Sequence, residues 1–337
     1  MARSAGRRRT GPTGAVSGSS QVAVIAASFG RLFYVRPLPG RDASADGDLD
    51  ADRSPARGTA DRTADRTAVT RGKRTDLCVG DEVQITTLGE DQAVIESLRP
   101  RRTLLQRSDR WRSKLLAANI DQLGVVIAGE PPFSEPLLLR VLIAAESAGI
   151  PVALIVNKCD RREATAAIRP RLDAYRALGY PIHEIAAGAD PQGTRAVLRG
   201  WLAGRTTLLL GQSGMGKSTL VNTLVPDAEL RTQTISQVLS SGKHTTTFSR
   251  LFDVPPDIAD DARIIDTPGF QTFGLAHLSE SQRVHAMREF VPLLGQCRFY
   301  NCSHRDEPGC AIRDAAHSGA IDEPRYRLFT RLDGDEA

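Results

Sequence analysis

"TTLLLGQSGMGKSTLVNTLV", residues 206–225, passes from an apolar strand through a glycine-rich loop into a helical pattern. Gly211, Gly216, Lys217 and Ser218 satisfy the G-x-x-x-x-G-K-S/T spacing. Glycines at those points let backbone N–H groups close on phosphate oxygens, and the helix that follows turns its positive end toward them. The loop Gly211, Gln212, Ser213, Gly214, Met215, Gly216, Lys217, Ser218 and Thr219 is therefore assigned to a nucleoside triphosphate. Lys217 is expected to bridge its β- and γ-phosphates, and Ser218 to ligate Mg²⁺. The loop does not specify the base.

"PVALIVNKCD", residues 151–160, addresses the base. At the end of a buried strand, Asp160 is expected to accept from the ring N–H and exocyclic amine of guanine, with Asn157 on the opposite edge and Lys158 between them. Adenine leaves Asp160 unpaired, and a polar group without its partner discriminates by ~10⁴-fold or more. This opposes a P-loop ATPase. A second base-side loop, "EIAAGAD", offers the backbone N–H of Ala187 to the guanine carbonyl.

Downstream, "ARIIDTPG" ends a strand at Asp266, expected to hold Mg²⁺ through water, and supplies Gly269, whose N–H senses the γ-phosphate. "GKHTTTFSR", residues 242–250, lies where a first switch belongs. Thr246 is expected to complete the Mg²⁺ shell, with Thr245 and Thr247 as alternatives. His244 beside them either positions the attacking water or is a structural hydrogen-bonder.

The order of these motifs (base reader, alanine loop, phosphate loop, threonine switch, DTPG) resembles the circularly permuted GTPases. A parallel sheet tolerates such rewiring when a linker joins the old termini, and residues 188–206 have the length to be that joint. Chain leaving Gly269 then runs into a C-terminal module. Ras-like GTPases carry a water-orienting glutamine directly after this glycine. Here the position is Phe270, with Gln271 one residue on, so intrinsic hydrolysis is expected to be slow.

Around the motifs, "DQLGVVIAG", "PLLLRVLIAAESAG", "ATAAIRPRLDAYRALG" (helical apart from Pro170) and "PIHEIAAG" alternate strand and helix, the pattern of a doubly wound parallel α/β sheet. Toward the N-terminus, "QVAVIAASFGRLFYVRP" and "GDEVQITTLGEDQAVIESL" each read as a β-hairpin, which together suggest a small barrel of OB-fold or SH3-like type. Between them, residues 40–76 hold only Leu49 and Val69 as large aliphatics and are expected to be a disordered insertion. "RPRRTLLQRSDRWRSK", residues 99–114, sets Arg99, Arg101, Arg102, Arg107, Arg110, Arg112 and Lys114 against the single acid Asp109, with Trp111 among them. It reads either as a solvated face or as a contact for phosphate backbone.

"CRFYNCSHRDEPGC" gives Cys297, Cys302, His304 and Cys310. Three thiolates and an imidazole so close in sequence can surround tetrahedral Zn²⁺, and four protein ligands leave no open position, so the metal is structural. His317 is the alternative to His304.

The 337 residues are 41% hydrophobic and 25% charged, as in a soluble globular protein, and no apolar run is long enough to span a membrane. A formal charge of +4 permits a nucleic-acid partner, while 5% aromatic content argues against a large stacking platform. The Arg- and Ser-rich start reads as a disordered basic tail, with a transit peptide as the alternative. Five cysteines without a disulfide pattern suit the cytoplasm.

In combination, "VAVIAASFGR", "AANIDQLGVVIA", "NKCD", "GQSGMGKST", "KHTTT", "IDTPGF" and "CRFYNCSHRDEPGCAI" resemble the ribosome small-subunit-dependent GTPase A family. The resemblance implies an OB-fold over 20–107, a permuted P-loop GTPase domain over 108–277 and a helical zinc-finger domain over 278–337, while the basic tail over 1–19 and the insertion 40–76 depart from it. It implies GTP/GDP, Mg²⁺ and Zn²⁺, and a monomer that docks on the small ribosomal subunit and its rRNA late in maturation. The subunit stimulates hydrolysis, and hydrolysis releases the protein. Ala186 departs from the family's serine before the alanine. The competing reading is a GTP-gated RNA-binding module with little or no turnover.

Overall fold

The first hairpin forms where the apolar alternation of residues 20–37 is interrupted by Gly30, which takes φ 71° at the turn. In this computed structural model, which describes residues 20–38, 65–72, 74–109, 111–226, 228 and 248–332, its strands are β1 (Ser20–Phe29) and β2 (Leu32–Pro37). Strands β3 (Arg66–Thr70), β4 (Glu82–Thr87) and β5 (Gln92–Leu98) join them in the closed order β1-β2-β3-β5-β4-β1. Only β3 and β5 run parallel. This is an OB-like barrel, and closure leaves no edge for stray pairing.

Strand β3 corrects the expectation that 40–76 is structureless throughout; most of that insertion, like the tail 1–19, lies outside the described residues. Hydrophobicity missed the strand because Ala68 is its only buried residue, while Val69 is 48% exposed. Backbone pairing with β2 and β5 holds it, together with an ion pair of 2.8 Å from Arg36 to Asp65.

The second sheet is built from β8 (Gln122–Ala128), β9 (Val152–Asn157), β10 (Ile182–Glu184), β11 (Thr206–Gly211), β12 (Arg250–Asp253) and β13 (Arg263–Asp266), in spatial order β10-β9-β8-β11-β13-β12. All neighbours are parallel except β12 against β13. Strands β8 and β9 are buried along their whole length, which is why they read as unbroken apolar runs. The connecting helices are α1 (Glu135–Ser147), α2 (Arg162–Ala177), α3 (Pro191–Leu202) and α4 (Lys217–Leu224). Pro170 lies inside α2 on an exposed face, where water can satisfy the carbonyl deprived of its helical partner. Helix α3, capped by Asp190 on Gly193 N, fills the expected joint.

Strands β6 (Leu104–Ser108) and β7 (Ser113–Ala118) form a separate hairpin, so the boundary expected at residue 108 falls inside a folded unit. Charged residues on its outer part hid the alternation. The basic run is divided by this arrangement. Arg101 makes a bidentate bond to the buried Asp81 at 2.6 and 2.8 Å, and Arg102 pairs with Asp121, so both are structural. Trp111 at the hairpin tip is 89% exposed. The hairpin is stapled to the chain beyond Gly269: Ser108 N donates to Gly274 O, Ala276 N to Ser108 O, and Arg107 Nη1 to Thr272 O at 2.6 Å.

The C-terminal module holds α5 (Glu280–His285), a 3₁₀ turn (Val291–Leu293), α6 (Ala311–His317) and α7 (Glu323–Thr330). It is welded to α1 and α2. Arg325 pairs with Glu289 at 2.7 Å in a dry setting and lies 4.7 Å from the Tyr175 ring centre. Arg288 stacks on Tyr180 at 3.9 Å and pairs with Glu146. No helix among the described residues is long and apolar enough to cross a membrane.

Candidate functional site

Strand β11 delivers Gly211 to a point where a Cβ would stand 2.8 Å from Val126 O, so only glycine lets the strand approach β8 there. The loop then turns through Gly214 (φ 85°) and Gly216 (φ 82°), backbone conformations costly for any side chain. Gly216 also makes room for a neighbour, since a Cβ on it would come within 2.4 Å of Asn157 Nδ2.

Asn157 uses that room as a brace. Its Nδ2 donates to Met215 O at 3.0 Å, and its Oδ1 accepts from Ala187 N at 3.0 Å. One buried amide therefore ties the base-reader strand, the phosphate loop and the alanine loop together. Thr223 adds a second tie, its hydroxyl donating to Ala187 O at 3.0 Å. The amide of Asn157 is thus engaged by the protein at both ends, and the N–H of Ala187 donates to it. Lys158 adopts φ 63° and sends its Nζ to Glu130 O at 3.0 Å, while Asp160 is exposed at the strand end.

Lys217, at the first position of α4, forms a buried ion pair with Asp266 at the end of β13. Burial pushes the Asp266 carboxyl above its usual range, and Lys217 opposes that shift. Ser218 is exposed beside this pair, and Thr267 is fixed by donating to Leu209 O at 3.0 Å. Gly269 passes close to the phosphate loop: a Cβ on it would lie 3.4 Å from Ser213 N. Phe270 pairs across a backbone bridge with Gln212 and is buried against Phe273 at 5.6 Å between ring centres, whereas Gln271 is exposed. Gln212 itself accepts from Ser134 N at 2.7 Å, anchoring the loop to the start of α1. His244 and Thr246, with Thr245 and Thr247, lie outside the described residues.

The second cluster joins Cys297, Cys302, His304 and Cys310, whose ligand atoms all fall within 4.8 Å of one another. His304 Nδ1 is 3.5 Å from Cys297 Sγ and 3.7 Å from Cys310 Sγ. Zinc at its usual bond lengths to sulfur and imidazole gives N···S edges of about 3.6 Å in a tetrahedron. The donor set and its dimensions therefore fit that ion. His317, at the end of α6, is not in the cluster. The knuckle is supported from outside: His304 N and Arg313 N donate to Cys302 and Cys310 sulfurs, and Tyr326 Oη donates to His304 O at 2.9 Å.

Residue type and spacing singled out the residues that the fold gathers in both clusters. Thr223 carried no such mark, since a threonine inside an amphipathic helix has no spacing rule; only the folded position reveals its bond to Ala187.

Residues 98–276 match the family model described as RsgA GTPase. A protein of Paraburkholderia phytofirmans named "Small ribosomal subunit biogenesis GTPase RsgA" is 52% identical over 264 residues, covering 78% of this chain and 83% of that protein. One of the same name from Burkholderia pseudomallei is 52% identical over 262 residues, with 78% and 82% coverage. Among solved structures, YjeQ from Thermotoga maritima superposes with a TM-score of 0.67 at 23% identity, over 94% of this chain and 99% of that one. YloQ, described as a circularly permuted GTPase, gives 0.62 at 20% identity, over 97% and 98%. These two similarities speak to the fold.

Proposed function

The chain belongs to the RsgA GTPase family, and from that premise we propose that it binds and hydrolyses GTP as a factor in biogenesis of the small ribosomal subunit. The observation that carries this reading is the Asn157 brace, which gathers the base reader, the phosphate loop and the alanine loop into one site although they are far apart in the chain. The curated relatives that carry this function in their names cover most of both chains.

In this reading Asp160 selects guanine, with Lys158 lying alongside and the Ala187 loop closing the base side. The backbone of Gln212, Ser213, Gly214, Met215 and Gly216, with Thr219 behind, holds the phosphates. Lys217 leaves Asp266 for the β- and γ-phosphates, and Gly269 N–H senses the γ-phosphate. Ser218, Asp266 and Thr246 supply hard oxygen donors suited to Mg²⁺, which would neutralise charge on the phosphates. Water attacks the γ-phosphorus, and the bond to the GDP leaving oxygen breaks. The side chain following Gly269 is a buried phenyl ring, which cannot orient that water, so turnover by the chain alone is slow. His244 and contact with the particle are the remaining sources of positioning.

The Cys297, Cys302, His304 and Cys310 set holds structural zinc. Trp111 and Arg112 at the exposed hairpin tip suit stacking and phosphate contacts with rRNA. The protein acts as a monomer in the cytoplasm.

Turnover of GTP and of ATP, each with and without purified small ribosomal subunits, tests the proposal. GTP hydrolysis that rises at least about tenfold with the subunit, against an unstimulated ATP control, is expected, an increase within the range that completing a switch supplies. Absence of stimulation would overturn the assembly-factor reading, and equal use of ATP would overturn the base assignment.

A further inference from the structure

Arg107 and Lys114 stand directly opposite each other across the antiparallel β6–β7 pair. Like charges in that position destabilise a sheet, so the pair needs a counter-charge. Among the described residues neither cation forms an ion pair, and the nearby Asp109 carboxylate is committed to the N–H groups of Trp111 and Arg112. Arg107 is held in place by its bond to Thr272 O. Both cations line a cleft together with Thr267, Gly269 and Phe270, and with Ser249 at the end of the first switch. The cleft thus brings the two cations together with the turn assigned to the γ-phosphate.

We propose that this cleft is an anion site that receives the inorganic phosphate cut from GTP and holds it between Arg107 and Lys114 before it leaves. The proposal rests on the GTPase reading above. A planar guanidinium can grip two phosphate oxygens while an ammonium meets a third as a point charge, which matches a free tetrahedral oxyanion. Partial burial and the adjacent Arg107 push the Lys114 ammonium below its usual range, and an anion in the cleft would reverse the second effect. The position also explains why a sheet keeps two facing cations: the repulsion that weakens the hairpin is relieved when phosphate arrives.

The test is equilibrium dialysis of labelled orthophosphate against the full-length chain loaded with GDP and Mg²⁺. Saturable binding is expected, weakened about tenfold or more by Lys114→Gln and recovered by Lys114→Arg, the size of effect typical for one charge-assisted contact. Lys114 donates no hydrogen bond to a described residue, so this substitution removes charge without breaking the hairpin. Orthophosphate binding that never saturates, or that ignores Lys114→Gln, overturns the inference. If a short RNA hairpin loses affinity on Lys114→Gln and orthophosphate does not bind, the site belongs to nucleic-acid phosphate and the proposal is wrong. GDP formation by the unaltered chain is measured alongside. Its absence would sink the GTPase reading itself, while GDP formation without orthophosphate binding sinks only this inference.

Discussion

Asn157 spends both ends of its amide on the protein, and its partners at Ala187 and Met215 are 30 and 58 residues away. Replacing it by alanine strands a buried carbonyl and a buried N–H, a loss of about 1–3 kcal/mol. Asn157→Ala is therefore expected to lower thermal stability and to speed GTP dissociation together; a lowered melting temperature with unchanged dissociation would separate the brace from the site. Asp160 is different, being exposed at the strand end and free to meet a base. Asp160→Asn is expected to reverse preference from GTP toward xanthosine triphosphate, measured by competition binding, and retained GTP preference would show that another residue reads the base. At this scale the sequence marked which residues matter, because phosphate loops and base readers need fixed chemistry at fixed spacing. It could not say that Asn157 faces inward, since that depends on Gly216 lacking a Cβ.

Elements with a clean apolar period were legible: β1, β2, β4, β5, β8, β9 and helices α1 and α2 fall where the pattern put them. Those that escaped share a cause. β3 buries one alanine, β6–β7 is masked by its cations, and β12 is four residues long, so none shows a clear apolar period. Their stability is borrowed from neighbours, as the Ser108 staple shows: a Cβ on Gly274 would stand 2.2 Å from the Ser108 carbonyl oxygen. The cysteine–histidine knuckle was legible for the opposite reason, since the spacing of its four residues is local. Cys302→Ala is expected to reduce zinc from about one per chain to well below that by elemental analysis, because three remaining ligands bind less tightly and release to chelators. An unaltered metal ratio would exclude Cys302 from the site.

Motif order alone announced the permutation, but nothing in the sequence announced how the barrel is joined to the rest. The join is β1. Its odd positions Ala23 and Ile25 fill the barrel, while Val24 and Ala26 belong to the large core that continues through the α/β sheet to Phe290, Cys310 and Ile312. The same strand pairs at Ala27 with Arg250 of β12. A strand with two cores on its two faces cannot release one without exposing the other, so the three modules should melt as one cooperative transition. Ile25→Ala, deep in the barrel, removes contacts worth about 2–5 kcal/mol. The midpoint reported by Trp201, on α3 beside His183 and remote from the barrel, is expected to fall by the same amount as the midpoint from far-UV circular dichroism. A Trp201 midpoint that stays put would mean independent melting. Cooperative coupling of this kind has a cost for dissection: residues 98–276, the span matched by the family model, lack β1 and are not expected to fold when cut out on their own.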